Sequence, residues 1–137
     1  MNIIDDLERR GLLDNFSDEE RVKKLFDTPQ TVYCGFDPSA KSLQLGNFIM
    51  INILQRLQKA GHRVIAMLGG ATGMIGDPSG KKSERKFLTP DQVMENAECI
   101  RNQLAKYIDT SDPEKGLIIN NYDWWSKTNV LSYLRDY

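Results

Sequence analysis

The chain reads VIAML at residues 64–68, a continuous apolar run typical of a parallel strand that is buried on both faces. Residues 31–36 read TVYCGF, which is β-branched and aromatic and predicts another strand. Between them, apolar residues at three- and four-residue spacing predict an amphipathic helix from about Leu43 to Ala60. Its predicted apolar stripe is Met50, Ile51, Leu54 and Leu57. Strand, helix and strand make a βαβ unit of a parallel sheet.

Residues 1–28 predict a helical lead-in before this unit, with short helices over residues 2–12 and 17–26. Ser17 and Glu20 have the spacing of a capping box, in which each side chain accepts from the other residue's backbone N–H group. We therefore expect the second helix to begin at Ser17. Residues 29–137 are predicted to form the nucleotide-binding βα units.

Residues 69–88 predict a long polar loop, and such connections are usually functional or disordered. Residues 89–92 read TPDQ, which opens a helix with a cap, a proline at the first position and a capping-box glutamine. The predicted buried stripe of that helix is Val93, Ala97, Ile100, Leu104 and Ile108. Residues 117–119 predict a third strand, and residues 130–134 start a further helix. This order predicts an α/β fold with a Rossmann-like, doubly wound parallel sheet that binds ligands at the carboxyl ends of its strands.

Composition excludes several kinds of protein. The chain has 137 residues, 40% of them hydrophobic and 27% charged, which fits one soluble globular domain. The net charge of −1 gives no global basic field, so RNA would need a local patch. Two cysteines and one histidine leave no disulfide framework, zinc site or histidine triad. With neither a secretory signal nor an apolar span in the sequence, we expect a cytoplasmic protein without membrane contact.

Two regions carry candidate chemistry. In the first, residues 33–47, a strand leads into a helix whose N-terminus suits a phosphate or carboxylate. Gly46 would let a ring or ribose approach the backbone there, or it is simply a packing glycine; the residues alone leave both open. In the second, residues 69–85, Asp77 suits a ligand ammonium group, and the cations Lys81 and Arg85 suit a polyphosphate. The alternative is a solvated surface loop.

Three stretches resemble bacterial-type tyrosyl-tRNA synthetases of class I: YCGFDPSAKSL at 33–43, GGATGMIGDPSGKKSER at 69–85 and NNYDW at 120–124. The resemblance runs in order over essentially the whole chain, and tryptophanyl-tRNA synthetases share the fold without these strings. It implies the N-terminal part of a class I catalytic domain. The implied activity is that of a tyrosine–tRNA ligase, with L-tyrosine and ATP as substrates, Mg²⁺ arriving with ATP, tRNA(Tyr) as acceptor, and a homodimer in the full-length enzyme.

The resemblance also implies roles for individual residues. The Tyr33 hydroxyl would meet the substrate phenol, Asp77 would hold the amino group, and Asn121 would support the tyrosine pocket. The implied ATP-binding set is Cys34, Gly35, Asp37 and Gly46. The implied catalytic set at the phosphates is Ser39, Gln44, Asn47, Lys81 and Arg85. The alternatives are a core aromatic for Tyr33 and a small buried apolar residue for Cys34, while His62 and Cys99 match no implied role and are expected to be structural.

The sequence departs from the family at one catalytic motif. The H-x-G-H motif would fall at residues 44–47, which read QLGN here. Asn47 keeps a hydrogen-bond donor for a ribose or ring oxygen. Gln44 takes a position that faces the γ-phosphate in the transition state, where losing a donor commonly costs roughly 10²–10³ in rate. We therefore expect a slowed or specialised activation step.

The sequence ends within a predicted helix, at Tyr137. The resemblance places the tyrosine-selecting helix, a K-M-S-K-S-type loop and the anticodon-recognising domains beyond it. We expect a fragment of a longer enzyme or a truncated gene product. Two other hypotheses for the chain are a catalytically impaired module that still binds ATP or tyrosine, and an interaction module that pairs through an uncovered sheet edge or face.

Overall fold

A parallel sheet of three strands forms the centre of the fold in the computed structural model, which describes residues 2–75 and 88–136. The strands are β1 (Thr31–Phe36), β2 (Arg63–Leu68) and β3 (Gly116–Asn120). β2 lies between the other two, and its residue Val64 is aligned with Val32 on one side and Gly116 on the other. The predicted α/β class and parallel sheet are confirmed.

Seven helices surround or precede this sheet within the described residues. They are α1 (Ile3–Arg9), α2 (Glu19–Leu25), α3 (Leu45–Lys59), α4 (Gly70–Ile75), α5 (Pro90–Leu104), α6 (Tyr122–Trp125) and α7 (Val130–Asp136). In chain order, α3 connects β1 to β2, and α5 precedes β3. In the described part of the chain, no helix has the length and apolar character needed to cross a membrane.

The two faces of the sheet differ in how deeply their side chains are buried. Val64, Ala66 and Leu68 are fully buried in a core that they share with residues of α3 and α5. Their neighbours Ile65 and Met67 point to the other face and are only half-buried. The prediction that residues 64–68 are buried on both faces is therefore wrong, because α3 and α5 both pack on the same side of the sheet.

Helix α3 follows its predicted apolar stripe with one exception. Ile51, Leu54 and Leu57 are buried against the sheet, but Met50 is 40% exposed. Its position beside Ile51 turns it about 100° around the helix and away from the buried stripe. Met50 was therefore wrongly placed in the core.

Helix α5 begins as its sequence predicts. Thr89 Oγ1 accepts from the Gln92 N–H at 3.3 Å, and Gln92 Oε1 accepts from the Thr89 N–H at 2.9 Å, so the capping box is present. All five residues of the predicted stripe are buried. The helix itself ends at Leu104, so Ile108 packs into the core from the turn that follows.

The N-cap of helix α2 lies one residue later than the capping box predicted, and the helix begins at Glu19. Asp18 is its N-cap, and its Oδ1 accepts from the Arg21 N–H at 3.0 Å. The assignment of Ser17 as the cap is wrong because aspartate caps as well as serine and reaches the third helical N–H group from this position.

The predicted loop over residues 69–88 is partly wrong, because Gly70–Ile75 is helical. Two amides from a distant part of the chain support its start. The Gly70 N–H donates to Asn120 Oδ1 at 3.1 Å, and the Ala71 N–H donates to Asn121 Oδ1 at 2.8 Å. A local sequence pattern contains no sign of caps supplied from about fifty residues away.

His62 lies at the amino end of β2, far along the strands from their carboxyl ends. It is buried, and its Nδ1 accepts from the Gln30 N–H at 3.1 Å. Its ring packs on Phe26 with centroids 5.0 Å apart. Burial lowers the pKa of His62 below its ordinary value, so the neutral form is favoured, as expected of a structural residue.

Candidate active site

The carboxyl ends of the three strands lie side by side, and the segments that follow them form what we call the carboxyl edge: residues 36–38, 69–72 and 120–122. Backbone hydrogen bonds tie these segments together. The Gly69 N–H donates to the Phe36 carbonyl at 3.0 Å, and the Asn121 N–H donates to the Leu68 carbonyl at 3.0 Å. In open α/β sheets this is where ligands bind.

β1 presents Tyr33 and Gly35 on the open face of the sheet. The Tyr33 side chain is 70% exposed, which contradicts a core aromatic and leaves its ring accessible. The nearest described heavy atom to a Cβ built on Gly35 would be Met67 Cε, at 3.9 Å. Apart from the chain neighbours of Gly35, only Met67 among the described residues comes within 4 Å of that position, which leaves room for a ligand.

Cys34 points the other way, toward the helices. Its side chain packs against the hydrophobic core, and burial raises the pKa of the thiol. A raised pKa keeps the sulfur protonated near neutral pH, so Cys34 has the character of a small apolar residue and not that of a thiolate nucleophile. It remains half-buried, so part of its surface is accessible.

Asp37 meets the segment after β2 at Gly69. A Cβ built on Gly69 would lie 2.8 Å from Asp37 Oδ1 and 2.7 Å from Thr72 Oγ1, so only glycine lets the backbone pass between the carboxylate and the hydroxyl. The structure thus brings Asp37 and Thr72 to the same place. Thr72 is not among the residues predicted from the sequence, although a hydroxyl four residues after a buried strand at the carboxyl edge is a usable signal.

Asn121 is buried and uses both ends of its amide on the first turn of α4. Its Oδ1 accepts from the Ala71 N–H at 2.8 Å, and its Nδ2 donates to Thr72 Oγ1 at 3.1 Å. Asn121 therefore holds the Thr72 side chain in place through this hydrogen bond.

Two further buried amides hold this edge and were not selected from the sequence. Asn96 Nδ2 donates to the Pro38 carbonyl at 3.1 Å, which anchors the connection after β1. Asn120 Oδ1 accepts from the N–H groups of Gly70 and Tyr122. The signal for Asn96 is a polar residue within the apolar stripe of α5.

The start of α3 is the second part of the candidate site. Gln44 is the N-cap residue, and its N–H donates to Asn47 Oδ1 at 3.0 Å. Apart from its chain neighbours and the backbone of its own helix, no described atom lies within 4 Å of a Cβ built on Gly46, and the residue is exposed. Helix packing therefore does not explain this glycine, whereas close approach of a ligand would. Ser39 is exposed on the connection that leads to this helix.

A cleft of about 310 Å³ lies beyond the start of α3, toward the end of α5. Gln44, Phe48, Lys106 and Tyr107 are among its walls. Tyr33 and Asp37 do not line it, so it is separate from the carboxyl edge.

Asp77, Lys81 and Arg85 lie outside the described residues, so their implied contacts stay predictions. Within residues 2–75 and 88–136, no group of three or more His, Cys, Asp or Glu side chains could hold a metal ion. The described residues therefore do not form a resident metal site of that kind.

Comparisons with known proteins agree with this architecture. The family model described as tRNA synthetases class I (W and Y) matches residues 25–137. The tyrosine–tRNA ligase of Listeria monocytogenes serotype 4a is 49% identical over the whole chain, which spans 33% of that relative. The tyrosine–tRNA ligase of Laribacter hongkongensis is 47% identical over 98% of the chain, which spans 32% of it. The chain thus covers about a third of the length of the curated relatives it matches.

Solved structures share the fold. A C-terminally truncated mitochondrial tyrosyl-tRNA synthetase of Aspergillus nidulans superimposes with a TM-score of 0.85 at 28% identity, over 98% of this chain and 41% of that one. The tyrosyl-tRNA synthetase of Archaeoglobus fulgidus, solved with L-tyrosine, gives a TM-score of 0.64 at 20% identity, over 98% of this chain and 39% of that one. From its fold and the family match, the chain belongs to the class I tRNA synthetases of the W and Y group.

Proposed function

We propose that this chain carries the front part of a tyrosine–tRNA ligase active site, where ATP activates L-tyrosine to tyrosyl-adenylate before transfer to tRNA(Tyr). The observation that carries the proposal is the 49% identity to a tyrosine–tRNA ligase, over an alignment that includes every segment of the carboxyl edge. The open surface at Tyr33, Gly35 and Gly46 supports it, because these positions leave room for a ligand.

In the proposed tyrosine half of the site, the exposed hydroxyl of Tyr33 hydrogen-bonds the substrate phenol. Asp77 holds the substrate ammonium group. Asn121 supports the pocket indirectly, since its amide is engaged by the first turn of α4. A site that hydrogen-bonds the phenol would discriminate against phenylalanine.

In the proposed ATP half, the nucleotide lies across the end of β1 and the start of α3. The open backbone at Gly35 and Gly46 admits the ribose and base, beside Cys34 and Asp37. The tyrosine carboxylate oxygen attacks the α-phosphorus, the bond to the bridging oxygen breaks, and pyrophosphate leaves with the electron pair. Donors stabilise the charge that develops on the phosphates. The residues in this role are Ser39, Gln44, Asn47, Lys81 and Arg85.

Asn47 would donate to the nucleotide from Nδ2, while its Oδ1 accepts from the Gln44 N–H. Mg²⁺ would accompany the ATP phosphates as part of the substrate, and no step here depends on it. We also propose a cytoplasmic location, and a homodimer in the full-length enzyme, on the resemblance to the family.

The proposal is tested by tyrosine-dependent ATP–pyrophosphate exchange, measured on the chain as given and on the full-length gene product. We expect exchange that requires tyrosine. Gln44→His should accelerate it by up to roughly 10²–10³-fold, because the imidazole replaces the neutral amide with the donor that the family's H-x-G-H motif has facing the γ-phosphate. Gln55→His, on the same helix but away from its start, is the matched control and should leave the rate within about threefold.

Three outcomes are informative. Exchange with tryptophan in place of tyrosine would contradict the proposed substrate. An unchanged rate in Gln44→His would remove Gln44 from the proposed catalytic set. A full-length product that binds tyrosine or ATP but shows no exchange in either version would favour the second candidate, a ligand-holding module without catalysis, which Gln44 in the motif also favours.

A further inference from the structure

Asn120 ends β3, and its side chain, 5% exposed, bonds to two helices at once. Its Oδ1 accepts from the Gly70 N–H at 3.1 Å and from the Tyr122 N–H at 3.0 Å. Gly70 is the first residue of α4, and Tyr122 is the first residue of α6. One buried oxygen therefore joins the first turns of two helices that begin at the carboxyl edge.

Both helices depend on such support. α4 has six residues and α6 has four, and helices of that length are not stable in isolation. The Gly70 and Tyr122 N–H groups lie at helix N-termini, where the helix itself supplies no acceptor. Removal of Asn120 Oδ1 leaves both N–H groups without that acceptor, and the Gly70–Asn120 bond is buried.

Gly70 and Asn120 also fit each other sterically. A Cβ built on Gly70 would overlap Asn120 Oδ1 and would lie 2.9 Å from its Nδ2. Gly70 is the first residue of α4, and a glycine there needs a reason because glycine loses more conformational freedom on folding than alanine does. The close approach of the Asn120 amide supplies that reason.

The side-chain amides of Asn121 and Asn120 bond to different parts of this edge. Asn121 bonds to the Ala71 N–H and to the Thr72 hydroxyl, a group at the candidate site. Within the described residues, the Asn120 side chain accepts from two backbone N–H groups, so it acts on the site through α4 and α6. The segment it holds includes Thr72, which lies beside Asp37 across Gly69.

We propose that Asn120 is a positioning residue for tyrosine activation, because it locks α4 to α6 and thereby sets the Thr72 hydroxyl against the Asp37 carboxylate. The inference rests on the function proposed above. A misplacement of about 1 Å at a reacting centre costs about 10²-fold in rate, so a residue that touches no substrate is able to control the rate.

The first test uses the full-length gene product and tyrosine-dependent ATP–pyrophosphate exchange. Asn120→Ala should lower kcat by about 10–100-fold, with a smaller change in the KM for ATP, since positioning affects the reacting geometry more than nucleotide contacts. Asn120→Asp keeps an acceptor oxygen in the same place and should restore kcat to within about threefold of the original. Wild-type kcat in Asn120→Ala would overturn the inference.

A matched control is Asn52→Ala. Asn52 is a half-buried asparagine whose Oδ1 accepts from Arg56 Nε at 3.0 Å on α3, away from the carboxyl edge. Its removal should leave kcat within about threefold. An equal loss in Asn52→Ala would mean that kcat reports general stability and would overturn the positioning role.

The second test is a double-mutant cycle with Gly70→Ala. The added methyl displaces the Asn120 amide, so Gly70→Ala alone should lower kcat about as much as Asn120→Ala does. With Asn120→Ala already present, the methyl meets no amide and should change kcat less than about twofold. Losses that add in the double variant would contradict a direct contact, and Gly70→Ala still tests the inference if Asn120→Ala does not fold.

Backbone hydrogen exchange separates this inference from the proposed function. If the original protein shows no pyrophosphate exchange, the proposed function fails, and the amides of Gly70 and Tyr122 still report on Asn120. Faster hydrogen exchange at both amides in Asn120→Ala, but not in Asn52→Ala, would support the lock. Unchanged exchange at both amides would overturn it.

Discussion

The two faces of the sheet in this synthetase-family chain are built for different purposes. On the helix-covered face, Val64, Ala66 and Leu68 have no exposed surface. On the open face, Ile65 and Met67 are half-buried and Tyr33 is 70% exposed. The same strands therefore supply the core on one side and accessible groups on the other.

The difference between the two faces indicates which residues contribute mainly to stability and which mainly to the proposed function. Burial of apolar surface dominates folding energy, so the covered face should set the free energy of unfolding. The open face and the carboxyl edge hold the proposed ligand groups, which contribute little burial. Substitutions of adjacent residues in one strand should then differ in how far they lower the free energy of unfolding.

The largest expected effect compares Leu68 with its neighbour Met67. Leu68→Ala should lower the free energy of unfolding by about 2–5 kcal/mol, because it leaves a cavity in the core. Met67→Ala removes a similar volume from the half-buried face and should cost about 1 kcal/mol or less. Urea unfolding followed by circular dichroism measures both. Equal losses would show that the open face is covered in solution.

A smaller effect is expected for Tyr33→Phe. The exposed hydroxyl has no role in the core, so the free energy of unfolding should change by less than about 0.5 kcal/mol. The kcat/KM for tyrosine should fall about 3–10-fold through loss of one hydrogen bond to the phenol. Tyr107→Phe, on another exposed tyrosine, should change neither quantity. A Tyr33→Phe protein that uses tyrosine normally would remove the phenol contact from the proposal.

The smallest effect concerns His62, at the opposite end of the strands from the carboxyl edge. Its folded pKa lies below the ordinary value of 6.5, so the unfolded chain binds the proton more readily. Its contribution is fully present above about pH 6.5 and is lost as the pH falls toward the lowered pKa. In urea unfolding at pH 7.5 and 5.5, His62→Gln should show a smaller loss than the original protein. The same pH dependence in both would exclude His62 as its source.

The sequence predicted the elements with strong periodicity. The strands at 31–36 and 64–68, the helix α3 and the capped start of α5 follow from local pattern, because each contains its own apolar spacing and stop signals. The errors lie where distant groups decide. Which face of β2 is buried depends on the side of the sheet on which α3 and α5 pack. The start of α4 depends on side-chain amides from the end of β3.

The placement of part of the candidate site follows from the sequence. Among the described residues, Tyr33, Gly35 and Gly46 are exposed and Asp37 lies at the carboxyl edge, while the roles given to these residues stay predictions. Thr72, Asn96 and Asn120 were missed because their importance comes from hydrogen bonds across at least forty residues of sequence. Spacing along the chain can mark such a residue as unusual, but it does not identify the distant group to which the residue bonds.

The first turn of α3, where the Gln44 N–H donates to Asn47 Oδ1, should respond little to pH. Residues 44–47 read QLGN and contain no titratable side chain, whereas a histidine changes its charge near neutral pH. The start of α3 thus keeps one charge state and one set of donors from mildly acidic to mildly alkaline solution. Protonation does not switch this end of the helix, and acidification changes only the groups it faces.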